Sequence, residues 1–271
     1  MIDIHAHILP GFDDGAHSIA EAVEMAYQAY EDGITAAIAT PHILDPRRDH
    51  REKILAAVEK MRVVFAERRA RLEIFPGAEV HIDPCLPELV AAGKVMTMND
   101  AGRYLLLELP LGEMPGYTEE VTFGLVPLGG TPIIAHPERN RDLARDVRLL
   151  RRLVEQGCLV QLSTGSIRGR FGREAERAAK VFLREGLVHF LGTDAHGADR
   201  RRPRMAEAAA KITEACGPEW ARTLVEENPR RLLAGLPVQA EKVTPGSSSA
   251  SRGVLGFLRR VGAAFLPRLW K

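Results

Sequence analysis

"MIDIHAHILPGFDDGAHSIAE" (residues 1–21) carries the reading on which the fold depends. Its opening residues alternate as a short strand does, with Ile2 and Ile4 on one side and Asp3 and His5 on the other. Ser18 and Glu21 are spaced as a capping box and open a helix that runs to Asp32-Gly33. Between strand and helix lies a loop rich in imidazole and carboxylate groups. The unit is therefore strand, polar loop, helix, and the rest of the chain repeats it. "ITAAIAT" (34–40), "LEIFPGAEV" (72–80), "YLLLEL" (104–109), "TPIIAH" (131–136), "CLVQLST" (158–164) and "VHFLGTD" (188–194) read as further strands. Helical patterns separate most of them, at 47–71, 86–92, 118–126, 142–156, 173–185, 204–215 and 219–234. Such alternation predicts a parallel sheet, and seven repeats predict a closed or nearly closed α/β barrel without an eighth strand.

The bulk properties agree. The 271 residues suit one large barrel, with 45% hydrophobic and 27% charged residues. A formal net charge of +1 provides no global field to attract nucleic acid. Cys85, Cys158 and Cys216 are sparse and odd in number, which fits a reducing, cytoplasmic compartment better than a disulfide framework. No secretory leader and no apolar run of about 20 residues is expected. Residues 1–236 read as the catalytic barrel and 237–253, which include "PGSSSASRG", as a flexible linker. Residues 254–271 read as a basic, partly amphipathic tail. Val254, Leu255, Leu258, Val261 and Phe265 share a helical face, with Arg259 and Arg260 away from it. One expectation for this tail is contact with an anionic membrane surface, where each Arg or Lys is worth about 1 kcal/mol.

In a barrel of this kind, chemistry sits at the C-terminal strand ends. His5, His7 and Asp14 follow the first strand, His42 the second, Glu79 the third, Glu108 the fourth, His136 the fifth, and Asp194 and His196 the seventh. The sixth strand ends in Ser163 and Thr164 and supplies none. A single histidine near a strand end is ordinarily a hydrogen-bonded polar residue. Nine ligand-type side chains from six strand ends on one rim are costly to desolvate unless cations offset them. Nine are too many for one ion and suit three, with one bridging carboxylate. Imidazole and carboxylate without thiolate favour manganese, iron or zinc over copper.

"DIHAHILPGFDDGAHS", "ATPHILDP", "PGAEVHI", "LLLELP", "AHPERN" and "GTDAHG" together resemble the polymerase and histidinol phosphatase (PHP) superfamily. The likeness is to its bacterial branch of manganese-dependent protein-tyrosine phosphatases from capsule and exopolysaccharide loci, the CpsB/CapC type. It spans residues 1 to about 235. The resemblance implies a distorted (β/α)7 TIM-like barrel, the PHP fold, with a trinuclear metal site. One ion is then expected on His5, His7, Glu79 and Asp194, a second on Glu79, Glu108 and His136, and a third on Asp14, His42 and His196. Two arginines would bind phosphate. The first is Arg139 in "HPERN"; the second lies in "DAHGADRRRPRM", where Arg201 is chosen over Arg200 and Arg202.

The implied reaction is phosphotyrosine hydrolysis, with hydroxide generated on the cations attacking phosphorus in line. The implied protein substrate is a membrane-associated bacterial tyrosine kinase, at the cytoplasmic face, and the resemblance leaves a homo-oligomer open without fixing a symmetry. A small-molecule phosphatase of histidinol-phosphate or sugar-phosphate type on the same site is the alternative. "CGPEWAR" (216–222) has the C-x5-R spacing of cysteine-dependent phosphatases. Pro218 removes an N–H there and Glu219 would repel phosphate, so it is expected to be a decoy.

Overall fold

In the computed structural model, which describes residues 1–48 and 50–238, nine short strands occupy seven positions around a curled parallel sheet. They are β1 (Ile2–Ala6), β2 (Ala36–Ala39), β3 (His42–Ile43), β4 (Glu73–Pro76), β5 (Glu79–His81), β6 (Tyr104–Glu108), β7 (Thr131–Ala135), β8 (Leu159–Ser163) and β9 (Phe190–Gly192). One ladder runs β1-β2-β4 and the other β3-β5-β6-β7-β8-β9. The expected strand 72–80 is broken at Gly77-Ala78, and β3 continues β2 beyond Thr40-Pro41. Pro41 has no N–H to donate to a ladder, so pairing passes from one sheet to the other at this point. The ring closes where β9 returns to β1. The Asp194 N–H donates to the His5 carbonyl at 2.8 Å and the His7 N–H to the Ala195 carbonyl at 2.9 Å. The fold is a distorted TIM-like barrel.

Strand alternation decides what fills the centre. Ile4, Ile38, Tyr104, Leu106, Ile133, Leu159 and Phe190 pack together with Met98 and Leu232 as one buried cluster. The alternate residues, such as Leu105, Leu107, Ile134, Val160 and Leu191, pack outward on the helices. Tyr104 closes the lower end: its hydroxyl donates to the Leu236 carbonyl at 2.6 Å and accepts from the Val238 N–H at 2.9 Å. This apolar plug fills the interior below the rim that carries the ligand-type side chains.

The principal flanking helices are α1 (Ile19–Glu31), α2 (Arg51–Glu67), α3 (Leu86–Ala91), α4 (Thr118–Leu125), α5 (Arg141–Arg145), α6 (Val147–Glu155), α7 (Thr164–Ile167), α8 (Gly172–Arg184), α9 (Ala206–Cys216), α10 (Pro218–Arg222) and α11 (Asn228–Leu233). Ser18 caps α1 by accepting from the Glu21 N–H at 3.1 Å, while Glu21 reaches back to the His17 N–H at 2.9 Å. The expected helix 142–156 is two helices, because Asp146 is extended and caps α6. The expected helix 219–234 is α10 and α11 joined by a wide turn over Thr223–Glu227, just before Pro229, which has no N–H. Among the described residues no helix is long and apolar enough to cross a membrane. The linker and tail expectations at 239–271 lie outside the described residues.

Candidate metal centre

The first strand aims two imidazoles at the same point. His5 Nδ1 lies 3.0 Å from Gln161 Oε1, and His7 Nδ1 lies 2.7 Å from Asp13 Oδ2. Both partners accept, so a ring that ligates a metal keeps its proton on Nδ1 and turns its Nε2 inward. Those two Nε2 atoms are 3.1 Å apart. Glu79 Oε2 lies 3.1 Å from the first and 3.3 Å from the second, and Asp194 Oδ1 lies 3.6 Å from each. All four side chains are buried. Lone pairs converging without a donor between them require either protons or a cation. A divalent ion fits this donor set.

Glu79 is the hub. Besides His5 and His7, its Oε2 lies 3.1 Å from His42 Nδ1, and its Oε1 lies 2.8 Å from His136 Nε2. One buried carboxylate therefore meets four imidazoles, the placement a bridging ligand needs. Asp14 Oδ1 stands at the rim, 3.6 Å from His42 Nε2 and 3.4 Å from His196 Nε2. The ligand atoms fall into overlapping groups that could each hold an ion: His7–Asp14–His42–His196, His5–Glu79–His136, His5–His7–Asp194 and His42–Glu79–Glu108. All nine expected side chains are in these groups, but Glu108 stands with His42 rather than with His136. Its Oε2 lies 3.3 Å from His42 Nδ1 and 3.8 Å from His81 Nδ1. The reason is the ladder: β6 pairs with β5, placing Glu108 opposite His81 on the β3 side of the rim.

The backbone is bent to serve this geometry. His136 (φ 31°) and Asp194 (φ 53°) both adopt left-handed conformations, costing about 1 kcal/mol or more each for non-glycine residues. Asp3 holds the second bend. Its buried carboxylate accepts from the Thr193 N–H at 2.9 Å and from the Thr193 hydroxyl at 2.5 Å. Gly192 lets the walls meet, since a Cβ there would lie 2.7 Å from His5 Cβ and 2.8 Å from Gln161 Nε2.

Electrostatics follow from the crowding. Burial disfavours charge on His5, yet Glu79 and Asp194 outweigh it and hold the imidazole up at about 9. Burial likewise opposes charge on His42, but Glu108 and Glu79 hold it up at about 11. His196 goes the other way, lowered by burial and by repulsion from His7. Glu79, though buried, is held well below the usual carboxylate range by its histidines. Burial would raise Asp13, but its hydrogen bond from His7 prevails and brings it to about 2.

Beside the centre stand two guanidiniums. Arg139 Nη1 lies 2.7 Å from Asp194 Oδ2, and an Arg201 Nη2 contact meets the same oxygen. Phe171 flanks both, its ring centroid 4.3 Å from the Arg139 guanidinium and 5.6 Å from that of Arg201. Of the three candidate arginines in the loop, Arg201 is the one placed on Asp194. Cys216 ends α9, packed partly against the outer core, and burial raises its thiol.

Sequence reasoning missed Gln161, Asp13, Asp3 and Phe171. Gln161 had a legible signal: it is a polar residue in an apolar strand, on the inward side shared by Leu159. Asp13 was masked by its neighbour Asp14 in the same "DD" pair.

A family model described as "Capsular polysaccharide synthesis, CpsB/CapC" matches residues 1–234. The tyrosine-protein phosphatase YwqE of Bacillus subtilis (strain 168) is 34% identical over 227 residues, covering 83% of this chain and 89% of that protein. A putative tyrosine-protein phosphatase CapC of Staphylococcus aureus is 35% identical over 202 residues, 74% of this chain and 79% of that one. A solved structure superposes with a TM-score of 0.85 at 32% identity, covering 92% of this chain and 100% of that chain. It comes from work on YwqE from Bacillus subtilis and CpsB from Streptococcus pneumoniae, described there as unique metal-dependent tyrosine phosphatases. With the nine converging side chains and the match across the whole barrel, this chain belongs to the CpsB/CapC family of capsular polysaccharide synthesis.

Proposed function

We propose that this chain is a metal-dependent protein-tyrosine phosphatase. The observation that carries the reading is the convergence of nine ligand-type side chains on one rim, with two guanidiniums meeting at Asp194. His5, His7, Glu79 and Asp194 would hold one ion, with Glu108, His136, Asp14, His42 and His196 completing the set. Divalent ions there would supply an activated water and positive charge for the phosphoryl oxygens. The chain's own residues do the rest. Gln161 and Asp13 keep the His5 and His7 rings in the ligating tautomer. Arg139 and Arg201 offer planar forks to the non-bridging oxygens of a phosphoryl group entering beside Asp194. A tyrosine phenolate, with a conjugate pKa near 10, leaves with less need of a general acid than an alkoxide does.

The finer reading has three ions bridged by Glu79 and manganese as the resident metal. The imidazole and carboxylate donor set supports manganese, with iron and zinc as competitors. It further has a membrane-associated tyrosine kinase as the protein substrate, met at the cytoplasmic face. The relatives' names support a phosphotyrosine protein as substrate; the kinase and its place at the membrane rest on the family resemblance alone.

The test is metal content together with turnover. Purified protein is analysed for manganese, iron and zinc, stripped with chelator, reloaded, and assayed on a phosphotyrosine peptide and a panel of small phosphate monoesters. Loss on stripping, recovery on reloading and preference for the peptide are expected. Preference for histidinol phosphate or a sugar phosphate would overturn the protein-phosphatase reading.

A further inference from the structure

The whole chain carries a net charge of only +1, yet five arginines line one pocket beside the metal centre. The pocket has a volume of about 330 Å³, and Arg168, Arg170, Arg200, Arg201 and Arg202 face it together with Phe171. Among the described residues no carboxylate lines it. Arg201 spans pocket and centre, since it also contacts Asp194. Arg168 is committed to Glu207 at 2.6 Å, and Arg202 meets the exposed Asp199 at 3.5 Å. Arg170 and Arg200 have no carboxylate partner among the described residues; Arg170 Nη1 donates only to the Arg200 carbonyl, at 3.1 Å. Phe171 lines the pocket, stands against the guanidiniums of Arg139 and Arg201, and is pressed close to α7. A Cβ on Gly165 would lie 2.5 Å from its ring.

Like charges at this density repel one another, and solvent screens but does not remove the cost. An anion in the pocket would. Guanidinium forks are suited to a carboxylate or a phosphate, which they bind bidentately. The volume lies at the lower end of ligand sites and suits one side chain. Two cavities flank a phosphotyrosine placed beside Asp194: this one, past Phe171, and one of about 380 Å³ on the His196 side, where Asp14, Glu21 and Asp199 accompany Arg200 and disfavour an anion.

We infer that Arg170 and Arg200 form a second anionic subsite that selects phosphotyrosines flanked by a negatively charged side chain. This rests on the phosphatase reading above and adds the substrate class. Both a carboxylate and a second phosphoryl group have the required chemistry, so the test has an arm for each.

Three phosphotyrosine peptides are compared on metal-loaded protein: one with neutral flanks, one with Asp and Glu flanks, one with a flanking non-hydrolysable phosphonate. The wild type is expected to favour at least one charged peptide about tenfold through KM, with kcat little changed. In an Arg170→Gln/Arg200→Gln double variant the charged-to-neutral ratio of kcat/KM should fall to about one, and high salt should do the same to the wild type. Because the readout is a ratio within one protein, loss of folded material does not mimic it. A wild-type ratio near one, or a ratio the double variant keeps, overturns the subsite. The same peptides with an inert phosphonate replacing phosphotyrosine are also titrated by fluorescence anisotropy. Arginine-dependent binding of the charged peptides without turnover of any would overturn the phosphatase reading and leave the subsite standing.

Discussion

Gln161 Oε1 lies 3.0 Å from His5 Nδ1, reaching over β9 from β8 to β1. On the proposed reading the sixth strand serves the centre without ligating: it holds the ring of a proposed ligand. Gln161→Leu removes the acceptor and frees His5 to rotate or change tautomer. Metal affinity should fall about 10- to 100-fold, and Gln161→Glu, which keeps an acceptor, should recover part of it. Competition with a metal-sensing chelator measures both. Equal affinity in the wild type and the leucine variant would remove the positioning role.

Protons should compete with the ions. In protein stripped of metal, His5 at about 9 and His42 at about 11 are protonated at neutral pH. Their folded values lie above the unfolded value of about 6.5, so their ion pairs stabilise the stripped protein below that pH. This contribution is lost as pH rises through 9 and above. Ligation has the opposite sign, because an imidazolium cannot bind metal. Apparent affinity should tighten from pH 6 to 9, by about tenfold per pH unit for each proton displaced. Calorimetry in buffers of different ionisation enthalpy should show proton release on loading; a buffer-independent heat would refute the charge state assigned to the histidines.

Arg139 touches Asp194 and flanks Phe171. Arg139→Ala should cost about 2–4 kcal/mol in kcat/KM on an aryl phosphate, by analogy with removing one preorganised donor. Arg139→Lys should recover little, because a point charge does not reproduce the fork. Unchanged kinetics in the alanine variant would take Arg139 out of phosphate binding.

Cys216 has the spacing of a nucleophile and none of the surroundings. It ends α9, and burial raises its thiol, so a thiolate is disfavoured at neutral pH. Cys216→Ser should leave kcat/KM unchanged, and loss of a covalent phosphocysteine signal should be impossible to detect because none forms. A phosphorylated Cys216 trapped by rapid acid quench would reverse this.

Tyr104 seals the end of the barrel away from the chemistry, with two hydrogen bonds to the chain at Leu236 and Val238. Tyr104→Phe leaves that carbonyl and N–H without their partner. A loss of about 1–3 kcal/mol is expected, seen as a fall in Tm of several degrees. An unchanged Tm would show that the closing segment adds nothing to the barrel.

The barrel and its chemistry were largely legible in one dimension. Ile2 and Ile4 alternating with Asp3 and His5, the Ser18 cap and the recurrence of such units forecast strands, helices and a parallel ring. Ligand-type residues at successive strand ends forecast the shared rim, because parallel strands bring all their C-terminal ends to one side. The breaks at Pro41 and Gly77 were harder to see, since their effect depends on which ladder each half joins.

What the linear order determined was therefore the kind of element each segment forms and the types of side chain presented at the rim. Tertiary structure alone decided which atoms meet: Glu79 among four imidazoles, Glu108 beside His42 instead of His136, and Arg170 and Arg200 sharing a pocket behind Phe171. The reason is physical. Periodicity is written locally and says which way a side chain points. Distances across a barrel depend on the stagger of strands far apart in the chain, and no local pattern encodes that.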